Sequence, residues 1–66
     1  MNKAEALESM RQGNKLRHSF FDAEEWMMIV RGEVVFEDGC RCTVEMFWQD
    51  RTEDVWLENW SLFNNS

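Results

Sequence analysis

Sixty-six residues, 30% of them charged and 14% aromatic, with a formal net charge of −6, fit one small domain. Such a charge repels nucleic-acid phosphate and disfavours direct DNA or RNA binding, and no apolar run approaches the ~18 residues that cross a bilayer. The opening Met1–Met10 alternates charged and apolar side chains without the apolar core of a signal peptide, so the expected location is the cytoplasm.

Cys40 and Cys42 are the only cysteines. At i and i+2 in a strand they lack disulfide geometry, which points to a reduced protein. A core of this size supplies about 3–5 kcal/mol, so a further staple is expected. The four Trp and five Phe are one, since each aromatic buries on the order of 150–250 Å². Self-association as a homodimer is another.

Lys3 to Gln12 reads as a helix, with Ala4, Leu7 and Met10 recurring every three residues and good helix formers between them. Asn2 is the N-cap, Glu5 stands at capping-box spacing, and Gly13 is placed to end the helix in a left-handed conformation. Residues 14–18 follow as a short strand with Leu16 inward and Lys15 and Arg17 outward. Phe20-Phe21 is an apolar anchor, and Asp22–Glu25 reads as a capped single helical turn.

The centre of the chain is Glu25–Cys42, EWMMIVRGEVVFEDGCRC. Two apolar runs too short for free-standing helices are separated by Arg31-Gly32 and followed by Asp38-Gly39, a strong turn signal. The pattern predicts an antiparallel meander of strands over 26–31, 33–37 and 40–43, covered on one face by the flanking segments. Thr43 then caps a short amphipathic helix to Arg51, with Val44, Phe47, Trp48 and Arg51 on one side. A polar loop leads to a final strand over 56–63 with an irregularity near Asn59, and Asn64–Ser66 is expected to fray. The fold class is therefore α+β: N-terminal helix, small antiparallel meander sheet, short second helix, C-terminal strand.

Chemistry-bearing motifs are scarce. His18, Cys40 and Cys42 offer three soft ligands where structural zinc takes four, with wider cysteine spacing. No Gly-rich phosphate loop, nucleophile elbow or HExxH motif occurs. The expectation is a protein with no metal, no cofactor and no catalytic function, whose tryptophans serve the core before any ligand. Charge is lopsided: the first 20 residues carry four basic and two acidic groups, the remaining 46 three basic and eleven acidic. That acidic part suits a basic protein surface.

The series Glu5-Ala6-Leu7-x-x-Met10-Arg11-x-Gly13-x-Lys15-Leu16-x-His18-x-x-Phe21 resembles the opening of small phage and prophage proteins of the Thoeris anti-defence type. Asn59-Trp60 resembles the acid or amide before Trp in their last strand. The resemblance covers the first third of the chain and its last few residues. It implies a compact α+β unit that oligomerises and acts for a phage against a host defence. The best-known members sequester a cyclic nucleotide-type immune signal between subunits. This chain has no proline and carries Phe21 where Trp is usual, and no pocket residue carries over by position.

Two functional readings follow, with a structural or virion accessory role as a third. In the first, the protein is a stoichiometric inhibitor that docks on a host defence protein, anti-CRISPR-like or related. Its contact residues are Glu24, Glu25, Glu33, Glu37, Asp38, Asp50, Glu53 and Asp54. Strand alternation sets Glu33 and Glu37 on one side, opposite Val34 and Phe36. In the second it sequesters a nucleotide-type signal, with Lys15, Arg17 and Arg41 on phosphates and a Trp stacked on the base.

Overall fold

The computed structural model describes residues 1–63. Its first helix, α1 (Lys3–Arg11), begins with a full capping box: the Asn2 side chain accepts from the Glu5 N–H at 2.8 Å, and Glu5 Oε1 accepts from the Asn2 N–H at 3.0 Å. It ends one residue short of expectation, with Gln12 as C-cap. Gly13 has φ +98, and the Gly13 and Asn14 N–H groups donate to the carbonyls of Met10 and Ser9. This is a Schellman closure, which needs the left-handed conformation that glycine adopts without strain.

Five strands follow: β1 (Leu16–His18), β2 (Met27–Val30), β3 (Glu33–Phe36), β4 (Arg41–Thr43) and β5 (Trp60–Leu62). They form one antiparallel sheet in the order β4-β3-β2-β1-β5, a four-strand meander whose first strand also receives the last. Arg31 and Gly32 both have positive φ between paired Val30 and Glu33, so β2 and β3 are joined by a two-residue type I′ turn. β3 and β4 are joined by Glu37-Asp38-Gly39, with Gly39 at φ +87 and its N–H donating to the Phe36 carbonyl at 2.9 Å. The Asp-Gly signal marks this turn correctly.

Helix α2 (Val44–Gln49) starts from Thr43, whose hydroxyl accepts from the Met46 N–H at 3.0 Å. Two expectations are corrected. Asp22–Glu25 is a β-turn closed by the Glu25 N–H to the Asp22 carbonyl, not a helical turn. The first part of the expected final strand is a 3₁₀ turn, Asp54–Leu57, and β5 starts only after Asn59 at φ +72. Trp56 and Trp60 lie four residues apart across that break, and the Trp60 indole N–H donates to the Trp56 carbonyl at 2.9 Å. A helical turn satisfies that bond, whereas a continuous strand would hold the two residues too far apart. The fraying expected at Asn64–Ser66 lies outside the described residues.

Both helices and the 3₁₀ turn cover one face of the sheet. There Ala6 and Met10 of α1, Phe47 of α2, and Leu16, Met27, Ile29, Val34 and Trp60 from the strands form the buried core. Among the described residues the opposite face carries no helix.

Candidate functional site

Among the described residues, the one fully buried polar side chain is His18. Strand alternation sends it to the same face as Leu16, where its ring lies 4.2 Å from Trp56 and 4.9 Å from Trp60, with Phe20 and Phe21 nearby. Nδ1 accepts from the Phe20 N–H at 3.1 Å, which assigns the proton to Nε2, and Nε2 donates to the Val55 carbonyl at 2.8 Å. Both ring nitrogens are thus occupied by backbone, leaving neither a free lone pair for a metal nor a free base for a nucleophile. Cys40 and Cys42 lie at β4, three strands from His18 on β1, and no group of three His, Cys, Asp or Glu is arranged for metal binding among the described residues.

Cys40 is exposed and Cys42 half-buried. The Cys40 N–H donates to Asp38 Oδ1 at 2.9 Å, and this backbone bond, with a further one from the Cys40 side chain, holds the Asp38 carboxyl below its usual range. The bond to Asp38 and its negative charge, with burial and Glu37 adding less, push the Cys40 thiol up. A thiol held protonated by a carboxylate is a poor nucleophile. The turn residue Asp38 therefore closes the hairpin and quiets the neighbouring cysteine.

The eight carboxylates expected to meet a partner divide by setting. Glu24, Glu33, Glu37, Asp38, Asp50, Glu53 and Asp54 are exposed, and Glu25 is half-buried with its side chain accepting from the Asp22 N–H at 3.0 Å. Glu25 therefore serves its turn. Glu33 makes the one carboxylate ion pair among the described residues, 3.7 Å from Arg41, with both side chains about half exposed.

The cations are used differently, and nothing in the sequence pattern reveals how. Lys3 Nζ lies 4.2 Å from the ring centroid of Trp48, Lys15 Nζ 4.3 Å from that of Trp26, and the Arg51 guanidinium 4.1 Å from that of Phe47. Arg51 also donates to the Phe47 carbonyl at 2.9 Å, and Arg17 to the Phe21 carbonyl at 3.1 Å. Four of the seven cations are thus turned onto aromatic faces or carbonyls, while Arg11, Arg31 and Arg41 stand exposed with most of the carboxylates.

The three residues expected to hold phosphates are not gathered. Lys15 and Arg17 belong to the β1 region, while Arg41 is on β4, three strand spacings or roughly 14 Å away. An open groove of about 400 Å³ lies between the start of α1 and the 3₁₀ turn, lined by Asn2, Lys3, Ala4, Leu7, Leu57 and Glu58. Its wall is largely apolar and brings together no set of catalytic groups. No helix among the described residues is long and apolar enough to cross a membrane. Comparison with protein-family models, with curated proteins and with solved structures gives no match to this chain.

Proposed function

We propose that the protein is a non-enzymatic binding protein, a stoichiometric inhibitor whose acidic surface docks onto a basic face of a host defence protein in the cytoplasm. The observation that carries the reading is the division of charge. Seven exposed carboxylates of the proposed surface make a single ion pair among the described residues, while four of the seven cations, Lys3, Lys15, Arg17 and Arg51, are turned onto rings and carbonyls. Unneutralised rim charge accelerates encounter with a partner of opposite sign and does so most strongly at low salt. The phage anti-defence setting rests on the resemblance of the first third of the chain to Thoeris anti-defence proteins.

The test is capture of partners from bacterial lysate on the immobilised protein, followed by binding kinetics at two ionic strengths with the partner recovered. Association slows as salt rises above about 0.1 M, where the screening length falls to ~10 Å. Charge reversal at Glu53 and Asp54 lowers the on-rate and flattens that dependence while the melting temperature holds. Salt-indifferent association, or a partner with an acidic binding face, rejects the reading. Nucleotide sequestration makes a separate prediction: a cyclic or linear nucleotide at 100 times its Kd stabilises the fold by about 2.7 kcal/mol. With Lys15 and Arg41 on separate strands, no such shift is expected.

A further inference from the structure

The groove between α1 and the 3₁₀ turn gives the acidic surface an apolar floor. Leu57 is 48% exposed there, across from Ala4 and the half-buried Leu7 of α1. The groove is open, whereas a small-molecule cleft covers roughly 70–90% of its ligand, so it suits a side chain presented on a larger partner. Residues three apart eclipse in a 3₁₀ helix, so Asp54 stands on the same side as Leu57. Glu58 lies in the wall itself, and Glu53 makes no side-chain capping bond. Among the described residues none of these three carboxylates has an ion-pair partner. Lys3 lends the wall its stem, because its ammonium lies over Trp48, which is not part of the groove. The positive end of α1 is already met by Glu5 in the capping box. Arg11 is exposed four residues beyond Leu7, roughly 6 Å further along the helix. The middle of the groove is therefore apolar, its 3₁₀ rim carries uncompensated negative charge, and a cation stands beyond its far end.

We propose that this groove is the anchor site for the basic partner. It takes a leucine-sized apolar side chain from a partner segment in which lysine or arginine flanks that residue. The inference rests on the acidic-surface reading for the sign of the partner's charge, and it adds the contact that holds the complex once charge has brought it together. The charge at the rim selects the occupant. An apolar segment without cations would desolvate Asp54 and Glu58 and leave them unpaired, which is costly. Flanking cations meet both carboxylates at the edge of the contact, and an apolar side chain fills the middle. An apolar anchor ringed by polar groups is the arrangement in which a few residues carry most of the binding energy. The two parts act on different rates: the rim carboxylates speed encounter, and the anchor slows dissociation.

The test titrates three acetylated and amidated five-residue peptides into the full chain, followed by nitrogen-15 NMR. The first has leucine between two pairs of lysines, the second serine in place of that leucine, the third glutamates in place of the lysines. The leucine–lysine peptide shifts the amides of Ala4, Leu7, Leu57 and Glu58 with a Kd of about 1 mM or below. The serine peptide binds at least about fivefold more weakly, and the glutamate peptide gives no shift at about 10 mM. Leu57→Ser abolishes the advantage of leucine over serine. Ala4→Leu does the same by filling the groove, should Leu57→Ser fail to fold. Asp54→Asn combined with Glu58→Gln weakens both lysine peptides alike. Equal, salt-sensitive binding of the leucine and serine peptides overturns the groove and leaves the acidic-surface reading standing. A glutamate peptide that binds as tightly as its lysine counterpart overturns the proposal and that reading together. Shifts confined to other residues, or no shift with any peptide at about 10 mM, overturn the proposal. So does a shift of the same four amides when the protein alone is concentrated from about 0.1 to about 1 mM, since the occupant is then a second copy.

Discussion

Replacing His18 with phenylalanine isolates what the buried imidazole contributes beyond its ring. Phenylalanine keeps an aromatic ring against Trp56 and Trp60, so the stacking survives. It deletes the bonds to the Phe20 N–H and the Val55 carbonyl. Each neutral hydrogen bond contributes about 1 kcal/mol net, and Phe20 and Val55 are at least partly reachable by water, so the full cost of stranding two buried groups does not apply. The expected loss is about 2 kcal/mol, a large share of what a domain this small holds, and a melting temperature lower by roughly 8–16 °C. Urea unfolding followed by tryptophan fluorescence measures it, with an unchanged m value showing that the same surface is exposed on unfolding. A loss below about 0.5 kcal/mol would show that the two bonds contribute little. Nitrogen-15 NMR of the wild type supplies an independent check, since the bonding pattern requires the Nε2–H tautomer.

Three further outcomes are expected. Gly39→Val costs more than about 1 kcal/mol solely through backbone strain at φ +87, because nothing lies within 4 Å of the position its Cβ would take; an unchanged melting temperature contradicts this. Arg31→Asn raises stability by a few tenths to about 1 kcal/mol, since Asn tolerates the positive φ that Arg31 adopts in the type I′ turn better than Arg does. Asp38→Asn speeds alkylation of Cys40 at a fixed near-neutral pH by lifting the hold on its thiol. The same variant flattens the acid limb of stability: folding favours the Asp38 carboxylate, so its contribution is complete above the ordinary aspartate range and fades as pH falls through the lower folded-state value. Equal alkylation rates would remove Asp38 as the cause.

What the sequence shows plainly is its local chemistry. Asn2 with Glu5, Gly13, Asp38-Gly39 and Thr43 each carry a short-range signal, and each stands in the structure where that signal puts it. Asn59 was legible as an irregularity, though not as the left-handed residue that ends a 3₁₀ turn. Trp56, Trp60 and Leu62 misled because spacings of four and two fit one strand as well as a turn followed by a strand. His18 was legible in principle, since Leu16-x-His18 at strand spacing sends both side chains inward; only its polarity argued for a surface role. The settings of Lys3, Lys15 and Arg51 were not legible, because each depends on a ring brought close by tertiary packing.

Those cations link the core to the proposed function. A lysine or arginine over an exposed ring contributes about 0.5–1 kcal/mol, comparable to the best that an exposed ion pair offers. Stability therefore loses nothing when a cation leaves a carboxylate for an indole, but the outside of the protein changes. Each carboxylate left without a neighbouring cation adds to a field that reaches a partner before contact. Lys3→Met and Arg51→Met separate the two effects. Both keep an apolar stem against the ring, and both make the net charge one unit more negative. If outward charge governs association, the on-rate for a basic partner rises in each variant, as stability falls by up to about 1 kcal/mol for Lys3→Met and by more for Arg51→Met, which also loses its bond to the Phe47 carbonyl. If these cations meet the partner themselves, the on-rate falls instead, and the acidic surface is not what the partner reads.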